Sequence, residues 1–264
     1  MKKSTHEKNF QQWNDVSNNY HEIRPKPPTE IVNIILSWLK NTPDVVVDVG
    51  CGTGLSTTIW TSISAKTIGI EPNDDMRAAA EKHINTEDGI VFQKGVSNDT
   101  TLPSDYADVI TVSQAFHWMD IDSTLVEFFR VLKRGGILAI YDFMLPPIVG
   151  WEIEKAFIEL RTKCFNVWYS QETPPIHNDK SSYNDRIKSF GQFRYSREVK
   201  CHGKEIWPIQ KAISFLTHIS NADFAIQVDS SIKKDIDNFN ELIKSKHNGE
   251  IEIIFPYAMV LAIK

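Results

Sequence analysis

The sequence predicts an α/β fold in which helices cover both faces of a largely parallel sheet. Two observations support this: the valine-rich segment Val45–Val49 runs directly into a glycine-rich turn, and strand and helix patterns then alternate as far as residue 143. Each connection between parallel strands needs a right-handed crossover, which is usually helical. We therefore expect a doubly wound sheet, in a chain whose 264 residues can bury a sizeable core.

One helix is expected before the first strand. Apolar residues of the segment Thr29–Lys40 recur at helical spacing and share one face, and Pro43 ends the segment. These apolar residues are Ile31, Ile34, Ile35, Trp38 and Leu39. The first strand, Val45–Val49, has four valines among five residues, which suits a central strand buried on both faces.

The first strand leads into a turn with glycines at alternate positions, Gly50, Gly52 and Gly54, and Asp48 stands two residues before the first of them. Glycines let the backbone turn sharply and let a ligand approach where a Cβ would collide. The dinucleotide fingerprint G-x-G-x-x-G would need its third glycine where this chain has Leu55. The spacing therefore disfavours NAD, and a helix is expected to open at about Leu55.

The second strand is expected to end in a carboxylate, because Thr67 to Ile70 read as a strand and Glu71 follows. In a Rossmann-like β-α-β unit, an acidic residue roughly twenty positions after the first glycine accepts hydrogen bonds from both ribose hydroxyls. The alternative is that Glu71 only caps the turn before Pro72 and the helix near Asp74. Strand, loop and terminal carboxylate stand in the right register, which favours the ribose role.

The alternation continues to residue 143 and then stops. The expected elements are the strands Ile90–Gln93, Ala107–Ser113 and Ile137–Phe143, and a helix Asp122–Lys133 ended by Gly135-Gly136. Beyond Pro146-Pro147 the pattern predicts a helix over Trp151–Trp168 and then a loop over Ser170–Asp185. A strand, Phe193–Cys201, and a helix, Trp207–His218, are expected next. The last two elements are a helix through Ile232, Ile236, Phe239 and Ile243, closed by Asn248-Gly249, and a strand, Ile251–Ile263. Pro256 in the last strand predicts a bulge or an edge position.

Composition excludes several classes of protein. The N-terminus carries no apolar leader, no segment approaches the roughly twenty apolar residues that span a bilayer, and no metal-ligand cluster is evident. Three cysteines, Cys51, Cys164 and Cys201, lie far apart, which predicts a reduced, cytoplasmic protein. A net charge of −5 argues against a nucleic-acid partner, although it does not exclude a local basic patch.

These motifs resemble those of the class I S-adenosylmethionine (SAM) methyltransferases. The loop with its preceding acidic residue is similar to motif I of that class, and the chain as a whole resembles the small-molecule branch that includes the trans-aconitate methyltransferases. The similarity is most specific in Val45–Gly54, Glu71, Gly95–Pro103 and Asp108–Trp118. It implies a seven-stranded sheet with an antiparallel last strand and helical lid elements.

The resemblance also implies the cofactor, SAM, with S-adenosylhomocysteine as its product, and a set of residues that bind it. Tyr20 followed by Arg24-Pro25 is similar to the family's N-terminal Y-x-x-x-R-P segment, which packs over the cofactor. The implied cofactor-binding residues are Tyr20, Arg24, Asp48, Gly50, Cys51, Gly52, Gly54, Glu71, Pro72, Met76, Val96, Ser97, Asn98, Ser113, Gln114 and Ala115.

The cofactor's chemical groups can be matched to some of these residues. Its carboxylate needs donors such as backbone N–H groups and Arg24, although Arg24 could also be a surface arginine in a proline-rich loop. The sulfonium suits backbone and small side chains at Gly50, Gly52 and 113–115. Many relatives have alanine and an acidic residue where this chain has Ser97-Asn98, and the Asn98 amide oxygen can still accept from the adenine amino group. Cys51 is expected only to keep the loop small.

The acceptor side is less determined. Methyltransferases acting on adenine or amide nitrogens resemble one another in an Asn/Asp-Pro-Pro-Tyr run after the fourth strand, and that amine clamp is absent from this chain. In the resembling family the aromatic-His-aromatic run, here Phe116-His117-Trp118, faces the substrate. His117 could be a general base or a donor to an acceptor carboxylate, or it could only orient the loop. Phe116 and Trp118 are expected to form pocket wall and core.

We therefore expect one methyltransferase domain over residues 1–264. Within it, 1–28 would cover the cofactor, 44–145 would form the SAM-binding core, 146–190 would be a lid insertion, and 191–264 would complete the sheet. Aromatic residues outside the alternation, such as Phe10, Trp13 and Trp151, suggest that the first and third of these segments close over the pocket.

Three functions remain open. The first is methyl transfer to a small molecule, at an oxygen (carboxylate or hydroxyl) rather than at nitrogen or carbon. The second is methylation of nucleic acid or protein, which the acidic charge and the absent clamp disfavour. The third is SAM binding without catalysis. The oligomeric state and the identity of the acceptor do not follow from the sequence.

Overall fold

A computed structural model describes residues 17–84, 89–170, 178–219 and 221–264. Its strands are β1 Val45–Val49, β2 Lys66–Ile70, β3 Ile90–Gln93, β4 Ala107–Ser113, β5 Leu132–Phe143, β6 Tyr195–Pro208 and β7 Glu250–Ile263. Its α-helices are α1 Ser17–Ile23, α2 Thr29–Trp38, α3 Asp74–His83, α4 Ile121–Val131, α5 Trp151–Tyr169, α6 Tyr183–Phe190, α7 Ile209–His218, α8 Ala222–Val228 and α9 Ile232–Lys246. None of these helices is long and apolar enough to span a bilayer.

The strands form one seven-stranded sheet in the order β3-β2-β1-β4-β5-β7-β6. Strands β1 to β5 are parallel, and β7 is antiparallel to both of its neighbours. The order reverses between β1 and β4, and ligands of open α/β sheets bind at the carboxyl ends of strands at such a point. The prediction of a doubly wound sheet with an antiparallel last strand is confirmed.

Hydrophobic cores lie on both faces of the sheet because successive β1 residues point to opposite sides. Val46 packs in the core that contains α2 and α5, whereas Val47 and Val49 pack in the core that contains α4 and α6. Strands β6 and β7 continue beyond the end of β5, because β5 stops pairing with β7 at Phe143 and Tyr257. Helices α5, α7, α8 and α9 pack in the core along this extension.

The prediction that an α-helix begins at about Leu55 is wrong. The chain instead makes turns and a four-residue 3₁₀-helix, Thr57–Trp60. The hydroxyls of Ser56 and Thr57 donate to the buried Asp48 carboxylate, and serine and β-branched residues such as Thr57 and Thr58 have poor helix propensity. Side-chain bonding therefore takes the place of a regular helix at this point.

The loop expected over Ser170–Asp185 is only partly correct. Residues 171–177 lie outside the described part of the chain, and the rest contains a 3₁₀-helix, Lys180–Ser182, followed directly by α6. Tyr183 and Ile187, four residues apart, are buried on one face of α6. The proline pair of this region dominated the sequence pattern and hid that short amphipathic helix.

Strand β6 is longer than the predicted Phe193–Cys201, and α7 therefore begins at Ile209 rather than at Trp207. The ladder with β7 is unbroken as far as Pro208, opposite Glu250. The bulge considered for Pro256 is not present, because Pro256 pairs in register with His202 just where β7 leaves β5. Helix α8 was not predicted, since its seven residues are too short to show a helical period.

Boundaries also moved around β5. Helix α4 ends at Val131, and the strand starts at Leu132 and includes Gly135-Gly136, which were expected to terminate the helix. A register shift against β4 between Ala107 and Val109 accommodates this early start.

Candidate functional site

A cavity of about 500 Å³ opens at the carboxyl ends of the central strands, beneath α1. This volume lies within the range of small-molecule sites, roughly 300 to 1,000 Å³. Its wall consists of Tyr20, Arg24, Pro25, Pro27, Val49, Gly50, Cys51, Gly52, Thr53, Leu55, Ser56, Glu71, Pro72, Met76, Gly95, Val96, Ser97, Asn98, Ser113, Gln114, Ala115, Trp118, Met119, Asp120, Phe143 and Tyr257. Most of the residues predicted to bind a cofactor therefore lie together around one cavity.

Asp48 is the buried support of the glycine loop rather than part of the cavity wall. Its Oδ2 accepts hydrogen bonds from Ser56 Oγ and Thr57 Oγ1, both at 2.7 Å, and its Oδ1 accepts from Thr111 Oγ1 at 2.8 Å. Burial raises the pKa of this carboxyl, and the three hydroxyls oppose that rise. The acidic residue before the first glycine thus ties the loop to β4.

Glu71 follows β2 and faces the cavity, although only 7% of the residue is exposed. Its Oε2 accepts from the Gly52 N–H and its Oε1 accepts from the Asn73 N–H, both at 2.9 Å. Burial raises the pKa of Glu71 to about 7, and the two backbone N–H groups only partly oppose it. A carboxylate has about four lone-pair sites, so both oxygens can still accept from a ligand.

Gly52 and Gly54 have left-handed backbone torsions, with φ of 55° and 83°, for different reasons. A Cβ at Gly52 would meet no described atom within 4 Å, so the space above it belongs to the cavity. A Cβ at Gly54 would collide with Ile84 Cδ1 and lie 3.0 Å from Phe92 Cζ. Gly54 therefore serves internal packing. It was predicted to bind the cofactor, but it is not among the residues that line the cavity.

The far end of the cavity is formed by 95–98, a short turn closed by bonds between Val96 and Asp99. The Ser97 hydroxyl lies 2.7 Å from Thr124 Oγ1 of α4, which holds the turn against that helix. Asn98 is exposed at the rim, so its amide is accessible to a ligand. Met76 also lines the cavity, and its N–H donates to Asn73 Oδ1 at 2.9 Å.

The segment 20–28 lines one part of the cavity and is attached at both ends. On one side, His21 Nδ1 lies 3.2 Å from both oxygens of Thr53, and its ring stacks on His83 at 4.3 Å between centroids. On the other side, the Lys26 N–H donates to Glu205 Oε1 at 3.0 Å. Burial lowers the pKa of His21, so the ring next to Thr53 favours its neutral form.

Arg24 brings a positive charge to the covered cavity. Its guanidinium lies over the Tyr20 ring at 4.5 Å and 5.8 Å from the centroid of the Phe143 ring. Its Nε is buried without a hydrogen-bond partner among the described residues. This half-buried cation lines the wall and is suited to an anionic ligand group.

The segment after β4 forms the opposite wall. Gln114 has a left-handed φ of 55°, and its amide, oriented to satisfy both groups, donates to Asp142 Oδ1 at 3.1 Å and accepts from the Phe143 N–H. Asp142 also accepts from Lys180 Nζ at 2.6 Å, which offsets part of the rise in pKa that burial imposes on Asp142. Both polar atoms of the Gln114 side chain are therefore already hydrogen-bonded within the chain.

The three residues expected to face the acceptor, Phe116, His117 and Trp118, lie in different surroundings. Trp118 lines the cavity, but Phe116 is fully buried and packs edge-on against Tyr183 at 4.9 Å. Phe116 is thus a core residue. His117 is half-buried outside the described cavity wall, and its carbonyl accepts from the Asn178 N–H at 2.8 Å. Its catalytic role stays a prediction.

Several wall residues were not singled out in the sequence. Phe143 and Tyr257 come from β5 and β7, and Met119 and Asp120 follow Trp118. Of these residues, only Phe143 could be placed at the end of a strand from the sequence alone. Tyr257 reaches the cavity because β7 pairs with β5 at that residue, which no local pattern reveals.

Residues 47–140 match the methyltransferase domain family. A Saccharomyces cerevisiae protein described as a candidate SAM-dependent methyltransferase is 29% identical over 148 residues, which cover 54% of this chain and 49% of that protein. A Dictyostelium discoideum protein described as a candidate methyltransferase is 31% identical over 138 residues, which cover 52% and 51%. The chain spans about half the length of these curated relatives.

Solved structures share the fold. A candidate type II methyltransferase of Anaeromyxobacter dehalogenans superposes with a TM-score of 0.72 at 18% identity and covers 91% of this chain and 97% of that one. A Haemonchus contortus phosphoethanolamine N-methyltransferase, solved with S-adenosylhomocysteine, has a TM-score of 0.57 at 13% identity and covers 96% and 58%. At these identities the likeness establishes the architecture alone.

Proposed function

We propose that this chain, whose residues 47–140 match the methyltransferase domain family, uses SAM to methylate a small-molecule acceptor, at an oxygen of a carboxylate or hydroxyl group. Within the class, we propose the branch that resembles the trans-aconitate methyltransferases. The N-terminal Tyr20 and Arg24-Pro25 support this branch, since they lie on the wall of the covered cavity.

The observation that carries the proposal is the Glu71 carboxylate beside the glycine loop. The Gly52 N–H and the Asn73 N–H orient the two oxygens before any ligand arrives. A ribose offers two adjacent hydroxyl donors, which is the complement of a carboxylate with a free lone pair on each oxygen. We therefore infer that Glu71 holds the ribose of SAM.

Other wall residues would hold the remaining parts of SAM. The half-buried Arg24 cation, whose Nε has no hydrogen-bond partner among the described residues, suits the amino-acid carboxylate. Asn98, Val96 and Ser97 lie at the end of the cavity next to Met76, where an adenine would meet an exposed amide and apolar surface. Gly50 and Ala115 present backbone and small side chains where a sulfonium needs close, poorly hydrated contact.

When bound, SAM supplies a methyl group on a positively charged sulfur. The residues of this chain would bind the acceptor in line with that group and exclude water, and such positioning is worth roughly 7 to 11 kcal/mol of barrier. Trp118, Met119 and Phe143 form apolar walls for an acceptor. A carboxylate acceptor would need no base at neutral pH, whereas a hydroxyl would benefit from one, and we propose His117 for that role or for positioning.

Two other functions are kept as outcomes of the test. The net charge of −5 and the absence of an amine clamp after β4 disfavour nucleic acid, and the attached cover over the cavity disfavours a protein chain as acceptor. A SAM-binding protein without catalysis would share the Glu71 geometry.

Two measurements test the proposal in sequence. Calorimetry with SAM, S-adenosylhomocysteine and NAD should show binding of the first two only, and binding of NAD alone would contradict the cofactor assignment. Transfer from methyl-labelled SAM should then be screened over carboxylic acids, phenols, alcohols and amines, with nucleic acid and protein as controls. Label appearing only in the macromolecules would overturn the small-molecule assignment, and SAM binding without transfer to any acceptor would favour the non-catalytic alternative.

A further inference from the structure

Strand β6 forms one edge of the sheet. It is 14 residues long, and among the described residues it pairs only with β7. Every second side chain, from Glu198 to Ile206, is exposed. A long edge strand presents unpaired N–H and C=O groups to another strand unless something covers them.

Charged residues of β6 that lie at equal distances before and after Cys201 carry opposite charges. In an antiparallel pair of two copies of β6 with Cys201 at the centre, Glu198 faces Lys204 of the second copy, and Arg197 faces Glu205 of the second copy. Each of these pairings occurs twice because of the twofold symmetry. We propose that β6 is the interface through which two copies of this chain join their sheets edge to edge.

Registers displaced by one or two residues bring like charges together. Moving one strand by one residue places Arg197 opposite Lys204 or Glu198 opposite Glu205, and moving it by two places Lys200 opposite Lys200 or Lys204. Like charges directly opposite each other destabilise a strand pair. Among these registers, the one centred on Cys201 is therefore the most favourable for the charged residues.

The surroundings of β6 agree with this register. Lys204 Nζ contacts its own Glu252 at 2.6 Å, and Glu198 Oε1 lies 3.7 Å from its own Lys200 Nζ, so the pairing of Glu198 with Lys204 of the second copy would join two existing ion pairs. Two large apolar side chains on the strand, Tyr195 and Ile206, are 54% and 62% exposed. In the proposed pair, Ile206 lies opposite Ser196 of the second copy, which would remove part of its apolar surface from water.

Sedimentation equilibrium of the full chain over a concentration series tests the proposal. We expect a monomer–dimer equilibrium that Lys204→Glu weakens roughly tenfold or more, because two attractive pairs become repulsive. The matched control Lys200→Glu makes the same charge change on the same exposed face, but it places Glu opposite His202 and should leave the dimer at least as tight. The double variant Glu198→Lys with Lys204→Glu restores opposite charges and should recover dimerisation.

Circular dichroism and thermal melts of each variant separate loss of pairing from loss of folding. A wild-type chain that remains monomeric at every concentration overturns the proposal. So does a dimer that weakens equally in the Lys200→Glu and Lys204→Glu variants, or one that the double variant fails to restore. The outcome is independent of methyl transfer, because these exposed side chains are absent from the cavity wall.

Discussion

At the residue scale, Asp48 and Glu71 are two buried carboxylates with different surroundings. Asp48 accepts hydrogen bonds from three side-chain hydroxyls and is fully buried, so its oxygens stabilise the glycine loop. Glu71 accepts two backbone N–H groups and keeps capacity toward the cavity. Both were expected to bind cofactor from their position before and after the glycine loop, but only Glu71 has an open side.

We expect the binding of S-adenosylhomocysteine to release protons through Glu71. The pKa of the free carboxyl is about 7, and hydroxyl donors of a ligand would stabilise the charged form and lower that pKa in the complex. Affinity should therefore rise as pH increases toward about 7 and then level off. Calorimetry at about pH 6.5 in buffers of different ionisation enthalpy measures the released protons.

Substitutions test whether the affinity for S-adenosylhomocysteine and the proton release depend on Glu71 rather than on a nearby carboxylate. Glu71→Ala should weaken binding at least about tenfold, or about 1.4 kcal/mol, and should abolish the proton release. Asp75→Asn, which removes an exposed carboxylate in the first turn of α3, should change neither. Unchanged affinity of the Glu71→Ala variant would remove the ribose assignment.

At the element scale, the glycine loop uses similar torsions for two purposes. Gly52→Ala should cost about 1–2 kcal/mol of stability for its left-handed φ, but it should strongly reduce cofactor binding because the new Cβ enters the cavity. Gly54→Ala should cost several kcal/mol, on the order of 3 or more, because strain adds to a collision with Ile84. Denaturant melts and calorimetry on both variants measure the two effects, and equal losses of stability would contradict this division.

The segment after β4 is held by the chain that follows α5. Asn178 Nδ2 donates to the Met119 carbonyl at 2.8 Å, and the Asn178 N–H donates to the His117 carbonyl. These bonds position Trp118 and Met119 on the cavity wall. Of the residues predicted at the acceptor, Trp118 lines the cavity and His117, one residue before it, does not; the acceptor site itself stays a prediction.

We expect His117→Ala to lower kcat/KM for the acceptor mainly through KM, because the imidazole is not part of the cavity wall but lies 4.8 Å from the ring of Trp118, which is. Affinity for S-adenosylhomocysteine should stay nearly intact. Trp118→Phe, which keeps an aromatic wall, is the control and should retain most activity. A pH-dependent loss of kcat in His117→Ala would assign a general base instead, and full activity would make His117 purely structural.

At the scale of the whole molecule, the attachment of the segment 20–28, which we propose covers the cofactor, depends on residues far away in the sequence. Glu205 of β6 accepts from the Lys26 N–H and from Trp207 Nε1, which fixes the end of the segment 20–28. Phe10 and Trp13, named with the predicted lid, lie outside the described residues, and closure of 146–190 stays a prediction.

Glu205→Ala should accelerate the release of S-adenosylhomocysteine by loosening this attachment, while leaving the glycine loop intact. The measurements are stopped-flow dissociation and amide exchange of residues 20–24 and Lys26, which ligand binding should slow in the wild type. Glu250→Ala, an exposed carboxylate at the start of β7, is the control. Identical release rates in the two variants would show that the cover does not retain the ligand.

The sequence by itself determined the strands of the parallel half, the glycine loop and the acidic end of β2, because local hydrophobic pattern and glycine spacing carry that information. The tertiary structure alone decided which of these residues face the cavity: Glu71 does and Asp48, Gly54 and Phe116 do not. It also decided that β7 brings Tyr257 to the site and that the Ser56–Thr57 hydroxyls replace a helix. The physical reason is that side-chain direction and hydrogen-bond partners depend on contacts between segments distant in the chain, which periodicity within one segment does not encode.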